Sequence, residues 1–232
     1  NGEIYNYKEL KNDLIKFGYK FKTNSDTEVI LHLFDKYNIE AFKKLSGIFA
    51  ICIWDKIKKK LYLIRDTVGV KPLYYLKDTL TYKFFFSSSI RSLLLNLKQK
   101  QINKTIFNYY SNLGRNDNSE TIFKDIFKLM PGELLILNNN IIEKKIYLKF
   151  ELKYKDKVND NNSIKQIVSN TIKNQLVSDV PISLSLSGGV DSNIVYSIMR
   201  KNLDTKFNTY SFKFEDHEKF NEDFNVAKKN TE

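Results

Sequence analysis

The sequence predicts an α+β domain with antiparallel strands, followed by the start of a parallel α/β domain. Three observations carry that expectation. Residues 47–87 hold four short apolar runs separated by polar breaks, the signature of strands. PGELLIL and IIEKKIYL flank three asparagines, which tolerate hairpin-turn conformations. Further on, VPISLSL runs through a glycine turn into a helical pattern and then a second apolar run. Strand, helix and strand in that order imply parallel strands with a right-handed crossover.

The elements follow in order. NGEIYNYKEL offers no lead-in strand, and Tyr7, Leu10, Leu14 and Phe17 then fall at helical spacing with Gly18 placed to end the helix. In SDTEVILHLFDKY, Ser25 and Glu28 have capping-box spacing, and Val29, Ile30, Leu33, Phe34 and Tyr37 make a buried stripe. From Gly47 the period changes. GIFAICIWD, KLYLIRD, PLYYL and KFFFSS read as consecutive strands of a meander, the first turn being the lysine-rich stretch Lys56 to Lys60. Helical patterns over Ile90 to Leu97 and Lys104 to Leu113 precede the hairpin across Asn138 to Asn140.

FELKYKDKVNDNNS is polar and poor in large apolar residues, which places a linker at 151–162 between domains at 1–150 and 163–232. An amphipathic helix over Ser163 to Ser178 presents Ile164, Ile167, Val168, Ile172 and Leu176 on one stripe. A helix around Asn193 to Lys201, a strand over Lys206 to Phe214 and a last helix from Glu222 complete the chain.

Composition narrows the function. No apolar run approaches the roughly 20 residues that cross a bilayer, so neither a membrane partner nor a membrane location is expected, and the chain reads as cytoplasmic. Cys52 has no second cysteine to pair with, and its apolar strand makes it a small core hydrophobe rather than a nucleophile. His32 and His217 are too isolated for a metal centre. The formal charge of +11 is scattered among asparagine-rich segments rather than gathered on one face, which argues against a nucleic-acid partner.

The sharpest motif is LSLSGGVDSN. An apolar strand ending at Leu186 meets Ser187, Gly188, Gly189, Val190, Asp191 and Ser192, and a helix follows. Paired glycines let the backbone approach an anion, and turn amides join the helix N-terminus to receive phosphate. Asp191 would repel that phosphate unless a cation intervenes, so a magnesium-bridged nucleotide is the economical ligand. The lysine of the G-x-x-x-x-G-K-[ST] loop is missing. A serine-glycine turn of purely structural purpose is the competing reading.

SGGVDS after an apolar strand resembles the pyrophosphate loop of the ATP pyrophosphatase family. NGEIYNYKEL, SDTEVILHLF, LSGIFAICIWD, LYLIRDTVGVKPLYY, FSSSIRSLL, LMPGELL and SDVPISLSLSGGVDS together resemble, in order, the two halves of the glutamine-hydrolysing asparagine synthase family. That resemblance implies an N-terminal-nucleophile, class II glutamine amidotransferase domain, with two antiparallel sheets between helices, before an α/β ATP-pyrophosphatase domain. It implies glutamine hydrolysis to ammonia, ATP-dependent activation of aspartate, and amidation to asparagine with release of AMP and pyrophosphate. Glutamine, aspartate, ATP and Mg2+ are the implied small molecules, and a homodimer is possible.

By the same resemblance, Asn1 and Gly2 match the oxyanion site, and Asn1, Glu3 and Asp26 match the glutamine-binding residues. Leu186, Ser187, Gly188, Gly189, Asp191, Ser192 and Phe212 match the ATP site, with Asp191 a magnesium ligand. Asp26 at a helix start, Glu3 near the chain start and Phe212 in an apolar run each also admit an ordinary structural role. The family's N-terminal cysteine nucleophile has no counterpart here, which implies a fragment lacking both ends and inactive by itself. Ser183, Asn193 and Ser89 depart from the family, which usually has glycine, serine and glutamate there. Two alternatives stay open: a related amidotransferase acting on a sugar or secondary-metabolite carboxylate, and a basic RNA-binding or tRNA-modifying protein sharing the loop.

Overall fold

The computed structural model describes residues 1–78, 82–149, 161–178, 180–203, 206–215, 218 and 221–231. The chain divides into two compact units, Asn1–Leu152 and Lys153–Glu232. Most of the expected linker, like His217, lies outside the described residues; Asn161 and Asn162 open a helix.

The first unit opens with β1 (Gly2–Ile4), where no lead-in strand was expected. Helices α1 (Tyr7–Lys16) and α2 (Asp26–Tyr37) and a 3-10 turn (Asn38–Lys44) follow. The strands β2 (Gly47–Asp55), β3 (Lys60–Arg65), β4 (Tyr74–Lys77) and β5 (Phe84–Ser87) come next. After α3 (Ile90–Leu94) and α4 (Lys104–Leu113) come β6 (Ile126–Lys128), β7 (Glu133–Asn138) and β8 (Ile141–Ile146).

These strands form no single meander. One sheet has the order β1-β2-β3-β7-β8 and the other β5-β4-β6, all antiparallel. The reason lies in β3 and β7, whose runs LYLI and LLIL are apolar at every position. Tyr62, Ile64, Leu134 and Ile136 face a core that also holds Ile30 and Phe42 from the helical side. Leu63 and Leu135 face the other core, shared with Tyr75 of the small sheet. A strand apolar on both faces is stable only between two layers, so β4 to β6 serve as the second cover.

Three local expectations fail for identifiable reasons. Phe17 ends its stripe 63% exposed, because α1 stops at Lys16. Ser25 does cap α2, its hydroxyl accepting from Thr27 N–H at 3.2 Å, but Glu28 does not return to Ser25. Instead its carboxylate accepts from the Lys22 and Thr23 amides at 2.8 and 2.7 Å and from the Thr23 hydroxyl. Cys52 is exposed rather than core, because β1 pairs with β2 no further along than Ala50.

The second unit holds α5 (Asn161–Gln175), β9 (Ser183–Ser185), α6 (Val190–Asn202), β10 (Asn208–Tyr210) and α7 (Glu222–Thr231). β9 and β10 pair in parallel with α6 between them in sequence, as strand-helix-strand order requires. β10 is only three residues long, against nine expected, since the residues of 211–214 pair with no strand. Ile164 and Ile167, two residues of the apolar stripe of α5, are exposed within this unit.

Candidate functional site

Two sites come from the sequence, and each is organised by backbone geometry. In the first unit, Asn1 and Ala50 exchange both main-chain hydrogen bonds, at 3.2 and 2.8 Å. Residues along an antiparallel ladder alternate between bonded and non-bonded pairs. Gly2, opposite Phe49, therefore falls in a non-bonded pair, and its N–H points away from β2 across the open edge of the sheet. Ile4 has the same parity, and its N–H donates to the Asp26 carboxylate at 3.1 Å. Asp26 thus stands on the edge of β1 toward which Gly2 also points.

Gly2 is required in this place. Its φ of +132° is a conformation that L side chains rarely adopt, and a Cβ would fall onto the carbonyl of Ile48. Asn1, Gly2 and Asp26 line one cavity of about 150 Å3 together with Thr27, Leu31 and Cys52. The Asn1 side-chain amide donates to the Ser88 hydroxyl at 3.1 Å, which engages one of its two hydrogens. Glu3 is exposed and does not line the cavity, while its charge, after burial and Asp66, helps push the Tyr5 hydroxyl up. The protein around Cys52 pushes its thiol up as well, which disfavours the reactive thiolate.

Behind this edge sits a pair the sequence reading quoted only as part of a motif. Asp66 is 1% exposed, and its carboxylate accepts from the N–H groups of Phe49, Val68, Val70 and Lys71 at 2.9–3.3 Å. The Arg65 guanidinium donates to the carbonyls of Gly69, Lys71 and Leu129 at 2.6–2.8 Å. Together they fix the turn after β3 and the β2 residue opposite Gly2. An aspartate three residues before a glycine, closing an apolar strand, is the signal that could have found it.

In the second unit, Leu186 follows β9 directly and is buried, and its N–H donates to the Tyr210 carbonyl at 2.8 Å. Gly189 is the N-cap of α6, so the amides of Val190 and Asp191 open the helix with no carbonyl a turn behind them. A Cβ on Gly188 would come within 2.5 Å of the Asp223 Cα, so the loop lies against the first turn of α7. The Ser192 hydroxyl lies within hydrogen-bond reach of the Ser187 carbonyl at 2.6 Å and of the Gly189 carbonyl and Ser187 hydroxyl at about 3 Å, turned into the loop. Asp191 is exposed in the first turn. Phe212 is 86% exposed, which removes its alternative as a core residue of this unit.

What the two arrangements can do differs. The first offers an N–H, an amide and a carboxylate around a small cavity, a set suited to a zwitterion with a carbonyl. The second offers backbone donors at a helix start, a set suited to phosphate, with room for one carboxylate on a bridging cation. Among the described residues no three His, Cys, Asp or Glu side chains gather to hold a metal by themselves. No described helix is long and apolar enough to cross a membrane.

Comparison with known proteins adds three findings. Residues 1–148 match the family described as glutamine amidotransferase domain, and residues 163–232 that described as asparagine synthase. A Methanocaldococcus jannaschii protein provisionally named asparagine synthetase [glutamine-hydrolyzing] 2 is 38% identical over 224 residues, 93% of this chain and 42% of its own length. Asparagine synthetase [glutamine-hydrolyzing] 1 of Bacillus subtilis is 35% identical over 218 residues, 93% of this chain and 34% of its own. The chain thus spans between about a third and two fifths of the length of these two relatives. A solved B. subtilis glutamine phosphoribosylpyrophosphate amidotransferase, with ADP and GMP, has a TM-score of 0.43 and 16% identity over 91% of this chain and 44% of its own.

Proposed function

Since the chain belongs to the glutamine amidotransferase domain family, we propose that its first unit binds glutamine and that its second receives the phosphates of ATP. The activity served is glutamine-dependent conversion of aspartate to asparagine, with ATP cleaved to AMP and pyrophosphate.

In the first unit, the Gly2 N–H and the second hydrogen of the Asn1 amide are the donors for the oxygen of the glutamine side-chain amide. As that carbonyl becomes tetrahedral, charge develops on the oxygen, and donors already aimed at it stabilise the transition state more than the ground state. Asp26 takes the α-ammonium group. Its carboxylate already accepts from Ile4 at one oxygen and from the Thr27 hydroxyl at 3.3 Å at the other, which fixes its orientation and leaves lone pairs over. Glu3 is a second carboxylate for the same substrate, reached from outside the cavity.

In the second unit, Leu186, Ser187, Gly188, Gly189, Asp191, Ser192 and Phe212 form the ATP site. ATP, when bound, supplies the leaving group that makes an acceptor carboxylate reactive. The chain's part is to align the phosphates on the amides at the start of α6, where Asp191 would be the carboxylate that holds Mg2+, since magnesium favours one or two carboxylates plus phosphate oxygens.

The observation that carries this reading is the ladder parity, which turns Gly2 N–H and Asp26 toward the same edge. Calorimetry with glutamine tests it. Asp26→Ala is expected to weaken binding by about tenfold or more, the loss of one charge-assisted contact. Equal affinity in the variant would overturn the assignment of Asp26. Mg-ATP titrated against the unaltered chain and Asp191→Ala tests the second unit in the same way.

A further inference from the structure

Asn193 departs from the serine usual in the family, and it has no part in the proposed ATP site. Its side-chain amide donates to two carbonyls of the glycine loop at once, Gly188 at 3.1 Å and Gly189 at 2.9 Å. Its carbonyl Oδ1 accepts from the side-chain amide of Asn230, on α7, at 2.7 Å. The two glycine carbonyls can only accept, so the Asn193 end facing them must be the donor, and Asn230 supplies the one thing the other end needs.

A peptide group is planar and trans, so its C=O and N–H point in opposite directions. Pinning the Gly188 carbonyl toward Asn193 turns the Gly189 N–H outward. The Gly189 carbonyl is held by the Ser192 hydroxyl at 3.0 Å and the Asn193 main-chain N–H at 3.2 Å as well as by the Asn193 side chain, and this turns Val190 N–H outward. The outward Gly189 amide has the Ser187 hydroxyl only at 3.4 Å, a long contact that a stronger acceptor would displace.

We infer that Asn193 is a positioning residue for the phosphate loop, aiming the Gly189 amide through the Gly188 carbonyl, and that Asn230 sets its orientation from α7. This rests on the nucleotide reading of the second unit. It makes α7 part of the site without touching the ligand, and the contact of Gly188 with the Asp223 backbone holds the other end of the loop to the same helix.

The two ends of this relay predict different variants. Asn193→Ala releases the Gly188 carbonyl, while the Gly189 carbonyl keeps the Ser192 hydroxyl and the main-chain N–H of residue 193. Asn230→Ala removes only the orienting donor, and Asn193 can keep its bonds to the loop. Asn230→Asp is the informative change, because an aspartate only accepts, so Asn193 must turn its amide toward α7 and off the glycines. A residue that merely tied helix to loop would be affected equally by both changes at position 230.

The test is calorimetric titration of inorganic pyrophosphate with magnesium into the full chain and these three variants. It is run at 0.5 M NaCl, where the Debye length of about 4 Å suppresses the added charge of Asn230→Asp. Asn193→Ala and Asn230→Asp are expected to bind about tenfold or more weakly, and Asn230→Ala within about threefold of the unaltered chain. Equal affinities for Asn230→Asp and Asn230→Ala would overturn the orienting role, and unchanged affinity in Asn193→Ala would overturn the positioning role while the nucleotide reading stands. Failure of the unaltered chain to bind pyrophosphate would overturn both readings together.

Discussion

In the first unit the candidate site hangs on a sheet whose central strands are buried on both faces, with Leu63, Ile64, Leu134 and Leu135 all fully enclosed. In the second it hangs on two three-residue strands and the start of one helix, where Leu186, Met199 and Ala227 are the buried apolar residues among those described. The direction of the Gly2 donor follows from ladder parity, which the whole sheet enforces. The direction of the Gly189 donor follows from side-chain hydrogen bonds that a single substitution can release. The difference teaches where damage should register: as lost stability in the first unit and as lost affinity in the second.

The largest effect should come from Asp66. Removing its carboxylate in Asp66→Ala leaves the buried Phe49 amide and three turn amides without their acceptor, at a cost of at least about 3 kcal/mol. Trp54, the chain's single tryptophan, lies on β2 and reports the first unit, so urea unfolding followed by its fluorescence reads the loss. A cost under about 1 kcal/mol would mean that the sheet does not depend on the turn, and the contrast between the units would weaken.

Gly2→Ala ranks next, at about 2–3 kcal/mol in the same assay, because the positive φ and the Ile48 carbonyl both reject a side chain. Gly188→Ala is its counterpart in the second unit. There the obstacle is the Asp223 backbone alone, on a loop with less around it, and the expected result is about a tenfold loss of pyrophosphate affinity, ~1.4 kcal/mol, with the Trp54 unfolding midpoint unchanged. A shift in that midpoint would show that the two units do not register damage separately.

The same contrast explains what the sequence made legible. Elements whose register depends on neighbours in sequence were readable: α4 spans Lys104–Leu113 as its period requires, and Asn139 and Asn140 take the positive φ values that the β7-β8 turn needs. The sorting of strands into two sheets was not, because a run such as KLYLI says that both faces are covered without saying by what. β1 escaped notice for a related reason: three residues carry no period, and only the pairing with Gly47 to Phe49 makes them a strand. In the second unit SGGVDS announced the glycine turn from β9 into α6, yet nothing local revealed that residue 193 would reach back to two of its carbonyls while residue 230 reached forward to it. In both candidate sites the local motifs were legible and the groups that hold them, Asp66 and Asn230, were not, since such a group acts at long range in sequence.

The smallest effect concerns a support that is itself only partly buried. Glu28 accepts from the Thr23 hydroxyl, the Lys22 amide and the Thr23 amide, with His32 3.6 Å away, and these hold its carboxyl down to about 2 from an ordinary 4.5. A carboxyl depressed by folding stabilises the folded state above its unfolded value and loses that contribution as pH falls through its folded one. The Glu28 contribution is therefore complete above about pH 4.5 and gone near pH 2. Glu28→Gln should lower the Trp54 urea midpoint slightly at neutral pH, and the gap to the unaltered chain should close as pH falls from 4.5 to 2. A gap that persists undiminished at pH 2 would assign the effect to lost packing of the loop before α2 rather than to its charge. That loop leads into the helix that begins with Asp26, so glutamine affinity in the same variant is expected to change by less than about threefold, because Asp26 keeps its own bond to Ile4.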